Sequence, residues 1–172
     1  MFSGKELSEE ELSDLKKDAG QMSAKMRAVR IVSATSVSED DLCRRLIQKG
    51  EDPCQAKEAV QWMSDLNLID DRQTAEQIVS RCIARGYGIA RAKQMLFEKR
   101  IPKRYWQEVL QDYPDQSQKI EQFLRSRLTA DSDGREVKRA VDALVRRGHS
   151  YAQIQKVMRQ LDYDEIPEGE YG

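Results

Sequence analysis

An internal repeat constrains this chain more than any other feature. Aligning Gly50, Arg100 and Gly148 brings Leu46, Leu96 and Leu144 into register, with Ile47, Phe97 and Val145 beside them. Downstream in the same register stand Ala56, Trp106 and Ile154, then Ala59, Val109 and Val157, then Val60, Leu110 and Met158, then Met63, Tyr113 and Leu161. The offsets are 50 and 48 residues. Upstream, Ile31-Val32-Ser33 matches Ile78-Val79-Ser80, and the AEQIV stretch from Ala75 matches IEQFL from Ile120. Each unit has room for three helices of about three turns, and a unit that small buries too little apolar surface by itself. Neighbouring units must therefore lean on one another, which predicts an elongated or curved rod. The expected units are 21–70, 71–113 and 114–163, with an acidic segment at 1–20 and an acidic tail at 164–172.

The local pattern is helical throughout, so the fold class is all-α. No run of alternating β-branched or aromatic residues bounded by turn pairs marks a strand. In REVKRAVDALVRR, at ~100° per residue from Arg135, the apolar Val137, Ala140, Val141 and Leu144 fall at about 140° to 240°. Arg135, Arg139 and Arg146 fall within about 40° of one another on the opposite side. This segment has a core face and a basic face. Ser8 with Glu11 reads as a capping box and Ser38 with Asp41 as its close relative. Gly50, Gly86 and Gly148 read as helix stops, since glycine adopts a left-handed terminal conformation at little cost.

Composition removes most chemistry. The 172 residues carry 29 Lys and Arg against 30 Asp and Glu, and no apolar run approaches the roughly 20 residues that cross a bilayer. The N-terminal sequence MFSGKELSEEELSDLKK has neither a basic start nor an apolar stretch behind it, so the expected location is the cytoplasm, with no membrane partner. Cys43, Cys54 and Cys82 lack metal-ligand spacing and have only His149 to assist them; three reduced, half-buried thiols are expected, with no disulfide, metal or other cofactor. Any Ser-His or Cys-His nucleophile pair would need His149, which sits in a polar break between two helical patterns, and no glycine-rich phosphate loop is present. The chain does not read as an enzyme. Asp40-Asp41 and Asp70-Asp71 read as helix-dipole partners rather than as acid and base catalysts. Trp62 and Trp106 fall on or beside apolar register positions and read as packing residues, the methionines as gap fillers, and Tyr87, Tyr105 and Tyr151 as exposed near helix starts and breaks.

The near-zero net charge hides a segregated one. Residues 1–20 carry net −3 and residues 21–70 net −1, whereas residues 71–113 and 116–163 each carry net +4, and the tail 164–172 carries net −4. A basic middle and C-terminal half bracketed by acidic ends is the asymmetry of a protein that touches polyanions or an acidic protein surface.

The stretch from Asn67 to Ile101, NLIDDRQTAEQIVSRCIARGYGIARAKQMLFEKRI, resembles the central motif of the RecX family of bacterial recombination regulators. Lys25 to Gly50 resembles the family's first module and Val141 to Met158 its last, in the right order, so the resemblance covers about residues 22–163. Its specific parts are Ile69-Asp70-Asp71-Arg72 and the Arg-rich helix closing on Gly86-Tyr87-Gly88. Thr74, Ile89 and Arg100 stand where the family has an aromatic residue, Pro and Gly. The resemblance implies three helix-turn-helix-like modules that bind the RecA filament and restrain its recombinase, ATPase and coprotease activities. The acidic segments 1–20 and 164–172 would repel naked nucleic acid, so single- or double-stranded DNA is expected to bind only weakly.

The candidate contacts to RecA filament or DNA phosphate are Arg81, Arg85, Arg91, Lys93, Arg135, Lys138, Arg139, Arg146 and Arg147, on a chain expected to act as a monomer. Two other readings compete. A helix-turn-helix DNA reader would place DPCQAKEAVQWMSDL, PKRYWQEVLQDY or SYAQIQKVMRQLDY in the major groove, but these mix acidic and neutral residues with few arginines. A generic helical-repeat adaptor would use the basic face only as solvated surface.

Overall fold

The computed structural model describes residues 8–163; the tail at 164–172 and the first seven residues lie outside them. Among the described residues the chain is all-helical: α1 (Glu9–Ala34), α2 (Glu39–Gln48), α3 (Pro53–Asp65), α4 (Asp71–Ala84), α5 (Ile89–Glu98), α6 (Trp106–Leu110), α7 (Ser117–Arg127), α8 (Gly134–Arg146) and α9 (Tyr151–Gln160). A 3-10 turn, Lys103–Tyr105, leads into α6. The chain divides into two compact units near residue 74, within α4.

In the first unit α1 begins at the capping box between Ser8 and Glu11. It runs unbroken through residue 20, so the helix spans the expected end of the acidic segment. Gly20 does not stop it. A Cβ there would collide with the Gln55 side chain, whose amide donates to the Lys17 carbonyl at 3.3 Å. Ala24, Ala28 and Ile31 turn inward against Leu42, Leu46, Ala56, Ala59, Met63 and Ile69; small residues on α1 let the helices approach closely. Polar contacts fix the same unit. Glu51 is buried and accepts hydrogen bonds from Ser23 Oγ at 2.9 Å and Arg27 Nε at 2.7 Å, tying the turn before α3 to α1. Asp71 accepts from the first amide of α2, Glu39 N, at 2.9 Å, and Asp70 accepts from the Arg72 and Gln73 amides. Both act as dipole partners at helix starts.

The second unit holds two apolar clusters. Ala75, Ile78, Val79, Cys82, Ala92, Leu96, Ile101 and Leu110 form one between α4, α5 and α6. Ile120, Leu124, Leu128, Ala140, Val141, Leu144, Ile154, Val157 and Met158 form the other between α7, α8 and α9. The core face of α8 is the one its periodicity predicts.

The aligned Gly50, Arg100 and Gly148 share one conformation. Their φ angles are +94°, +55° and +88°. In each case the next amide returns to the carbonyl of a fully buried leucine: Glu51 to Leu46 at 3.1 Å, Ile101 to Leu96 at 3.0 Å, His149 to Leu144 at 3.2 Å. This is the six-to-one closure that ends a helix on a left-handed residue. Arg100 performs it without being glycine.

Several side-chain expectations are corrected. Trp62 and Trp106 do pack against the clusters, and the Trp106 indole donates to the Ile101 carbonyl at 3.0 Å. Tyr87, Tyr105 and Tyr151, however, are half-buried in the second unit's clusters rather than exposed, because each ring covers apolar neighbours at a helix end. Met63, Met95 and Met158 fill gaps, but Met22 and Met26 are about 60% exposed. Only Cys43 is a half-buried thiol; Cys54 is exposed and Cys82 fully buried beside Met95 Sδ at 3.4 Å. No described helix is long and apolar enough to cross a membrane.

Candidate partner interface

The site is built on α8 and the turn that follows it. Asp133 and Glu136 close a capping box at its start, and Ala140, Val141 and Leu144 anchor its inner face. Arg135, Lys138, Arg139 and Arg146 are thereby held outward, all exposed.

At its C-terminal end α8 meets the start of α5 backbone to backbone. Gly88, the N-cap of α5, has no side chain to cap the helix. Its amide instead donates to the Arg147 carbonyl at 2.9 Å, and the Ala90 amide to the Gly148 carbonyl at 3.4 Å. The terminal carbonyls of one helix satisfy the first amides of another, with opposite dipole ends facing. A Cβ on Gly88 would overlap the Gly148 carbonyl, and one on Gly148 would overlap the Arg91 amide. The Tyr113 hydroxyl donates to the Tyr87 carbonyl at 2.6 Å; burial pushes that phenol up to about 12. The Gly86-Tyr87-Gly88 motif is thus a docking point within the second unit.

His149 is the strut of this junction. It is 4% exposed, and its Nε2 lies 2.9 Å from the Gly86 carbonyl. A carbonyl only accepts, so Nε2 carries the proton and Nδ1 is left as a buried acceptor without a partner among the described residues. Burial holds the imidazole below its ordinary value of 6.5; the Arg147 charge adds to this, and the bond to Gly86 opposes it without prevailing.

Three adjoining depressions surround α8. The largest, about 660 Å³, is lined by Arg91, Arg146 and Arg147 with Tyr87, Gln94 and small residues, and contains no carboxylate. A second of about 210 Å³ is lined by Arg85, Lys119, Arg147, Gln122 and His149, again without a carboxylate. The third, about 170 Å³, sets Arg127 and Arg139 beside Glu136. Phe123 joins the last two, and the Arg147 and Arg127 guanidinium carbons lie 4.7 and 5.3 Å from its ring centre. Such stacking holds a guanidinium plane in place while its N–H groups remain available.

The structure thus brings together Arg85, Arg91, Arg139, Arg146 and Arg147 of the nine expected contacts. Arg81, Lys93, Arg135 and Lys138 are exposed but line none of these depressions. Sequence reasoning missed Lys119, Arg127 and Phe123. The repeat register places all three on the first helix of its last unit, but the sequence carries no signal that sets that helix against α8. Arg91 is partly engaged by Gln94 at 2.8 Å and Glu98 at 3.8 Å. The cluster's chemistry is recognition of anionic oxygens. No group of three His, Cys, Asp or Glu that could hold a metal occurs among the described residues.

No protein-family model matches the chain. It is 24% identical to the regulatory protein RecX of Vibrio parahaemolyticus over 157 residues, covering 87% of this chain and 98% of that protein. It is 26% identical to RecX of Halorhodospira halophila over 160 residues, covering 90% and 99%. The crystal structure of RecX from Lactobacillus salivarius superposes with a TM-score of 0.70 at 20% identity, covering 84% of this chain and 98% of that one. A second crystal structure of a regulatory protein RecX gives 0.72 at 19% identity, covering 92% and 81%. The resemblance to RecX regulatory proteins therefore extends along most of the chain, and the fold is that of solved RecX structures.

Proposed function

We propose that this relative of the RecX regulatory proteins is a non-enzymatic regulator that binds the RecA filament in the cytoplasm and restrains its recombinase, ATPase and coprotease activities. The observation that carries the reading is the run of cations around α8, five of them at positions picked out by sequence, lining depressions two of which contain no carboxylate. Such a surface orients an acidic protein face or a phosphate strand and raises the association rate. A filament repeats its sites, so modest individual contacts gain through effective concentration. Arg85, Arg91, Arg139, Arg146 and Arg147, with Lys119 and Arg127, are assigned to that contact. Naked single- or double-stranded DNA binds the same surface weakly, because the acidic segments repel it.

The test is RecA's DNA-dependent ATP hydrolysis. The full chain should lower it when added well below one copy per RecA protomer. Arg85→Glu combined with Arg146→Glu should need at least about tenfold more protein, while stability moves by only about 0.5 kcal/mol per exposed substitution. Suppression that begins only once the chain has saturated the DNA would replace this reading with competition for the strand, whose affinity falls with salt at about −0.7 in log–log slope per phosphate contacted.

A further inference from the structure

The first turns of α1 have little to hold them. Residues 8–19 are all exposed, yet an isolated helix segment of this length is marginal in water unless a face is packed. The same helix carries an apolar seam that its own unit does not use. Leu12, Leu15, Ala19, Met22, Met26 and Val29 follow one another at spacings of three, four, three, four and three residues. The five large members are 40 to 61% exposed. At ~100° per residue the seam centres about 170° from the inward residues Ala24, Ala28 and Ile31, so α1 is apolar on two opposite sides. Alternating three- and four-residue spacing is the a and d pattern of a helix that packs against another helix along its length.

The charges beside the seam identify the occupant. With Leu12 at position a, the flanking e positions are Glu9, Lys16, Ser23 and Arg30, and the g positions are Glu11, Asp18, Lys25 and Val32. Two copies side by side in parallel would set Lys25 against Arg30. Two copies in antiparallel orientation, related by a two-fold axis between Ala19 and Met22, set Leu12 against Val29, Leu15 against Met26, and Ala19 against Met22. They also set Glu9 against Arg30 and Asp18 against Lys25, each twice, with no like charges opposed. In such a closed, isologous contact each residue is used on both sides.

We infer that α1 is a homodimerisation element through which two copies of this chain pair as an antiparallel helical hairpin, in place of the monomer expected from sequence. The seam spans only two and a half heptads, so the association is weak and concentration-dependent. It would place two copies of the chain on one assembly, which raises occupancy of a repeating partner.

Sedimentation velocity of the full chain from about 5 to 500 µM reads the equilibrium directly. The wild type should shift from monomer toward dimer across that range. Leu15→Glu and Met26→Lys, both exposed, should keep helix content by circular dichroism and each weaken dimerisation at least about tenfold. The two changes combined in one chain should recover part of the affinity, because only the antiparallel pairing sets the carboxylate introduced at position 15 against the ammonium introduced at position 26 of the other copy. A chain that stays monomeric at every concentration overturns the inference, as does a dimer indifferent to both single changes. A double variant no tighter than either single overturns the antiparallel pairing.

Discussion

The carboxylates buried among the described residues, Asp41, Glu51 and Asp71, lie in the first unit, whereas the buried polar side chains of the second are Gln116 and His149. The consequence appears in the arginines. In the first unit Arg27 is bound to Glu51, and Arg44 and Arg45 fork onto Asp41 at 3.0 and 2.9 Å. A buried carboxylate must be paired, so these cations are committed to holding the unit together. In the second unit no buried carboxylate among the described residues claims Arg85, Arg146 and Arg147, which line depressions that contain no carboxylate, and Arg147 is held by stacking on Phe123. Segment charge alone does not separate the two cases. The depth of the nearest carboxylate does: an arginine beside a buried acid is structural, and one on a helix whose inner face is wholly apolar is available to a partner.

The largest expected effect tests whether the second unit depends on its backbone junction as the first depends on side chains. Gly88→Ala forces a methyl group into the Gly148 carbonyl. Neither backbone segment can yield without breaking the bonds between α5 and the turn after α8, so the cost should be about 3 kcal/mol or more. Urea denaturation of the full chain measures it. A loss under about 1 kcal/mol would show that the junction opens freely and is no anchor for the cations around it.

Acid should distinguish the two units in different windows. His149 is held below 6.5 in the folded chain, so as the pH falls past 6.5 the unfolded chain takes up a proton that the folded one refuses, and stability drops. For Asp41, burial raises the carboxyl, but the hydrogen bonds and charges of Arg44 and Arg45 outweigh it and leave it below 3.8. Its contribution is present above pH 3.8 and is lost only as the pH falls below that. Between pH 7 and 5 the melting temperature should therefore fall through His149, and His149→Gln should flatten that decline. His149 is the chain's single histidine, so proton NMR reads its titration without ambiguity; a midpoint above 6.5 would reverse the sign.

Much of this was legible because it is local. Ser8 and Ser38 cap the helices they precede, Gly50, Gly86 and Gly148 take positive φ, and the two faces of α8 follow from its periodicity. What escaped depends on partners distant in sequence. Gly88 reads as a loop residue until the carbonyls of Arg147 and Gly148 are placed against it. Lys119, Arg127 and Phe123 join the interface only because α7 lies along α8. Met22 and Met26 look like core residues because hydropathy cannot tell which of two apolar sides of a helix faces its own unit.

The smallest expected effect concerns the one aligned helix end that departs from glycine. Arg100 holds φ +55° between positions 50 and 148, where glycine adopts +94° and +88° at no steric cost. A side chain in the left-handed region is disfavoured by roughly 1 to 2 kcal/mol, because its Cβ crowds the following carbonyl. Arg100→Gly removes that strain but frees the unfolded chain and forfeits what the arginine side chain contacts, so the net gain should be only about 0.5 kcal/mol. The reciprocal change separates backbone from packing. Gly50→Ala meets no atom within 4 Å of the added Cβ, so its cost, about 1 kcal/mol, is conformational alone. If Arg100→Gly destabilises the chain while Gly50→Ala behaves as stated, the arginine's contacts outweigh its backbone strain, and this helix end is held by its side chain, as the first unit is.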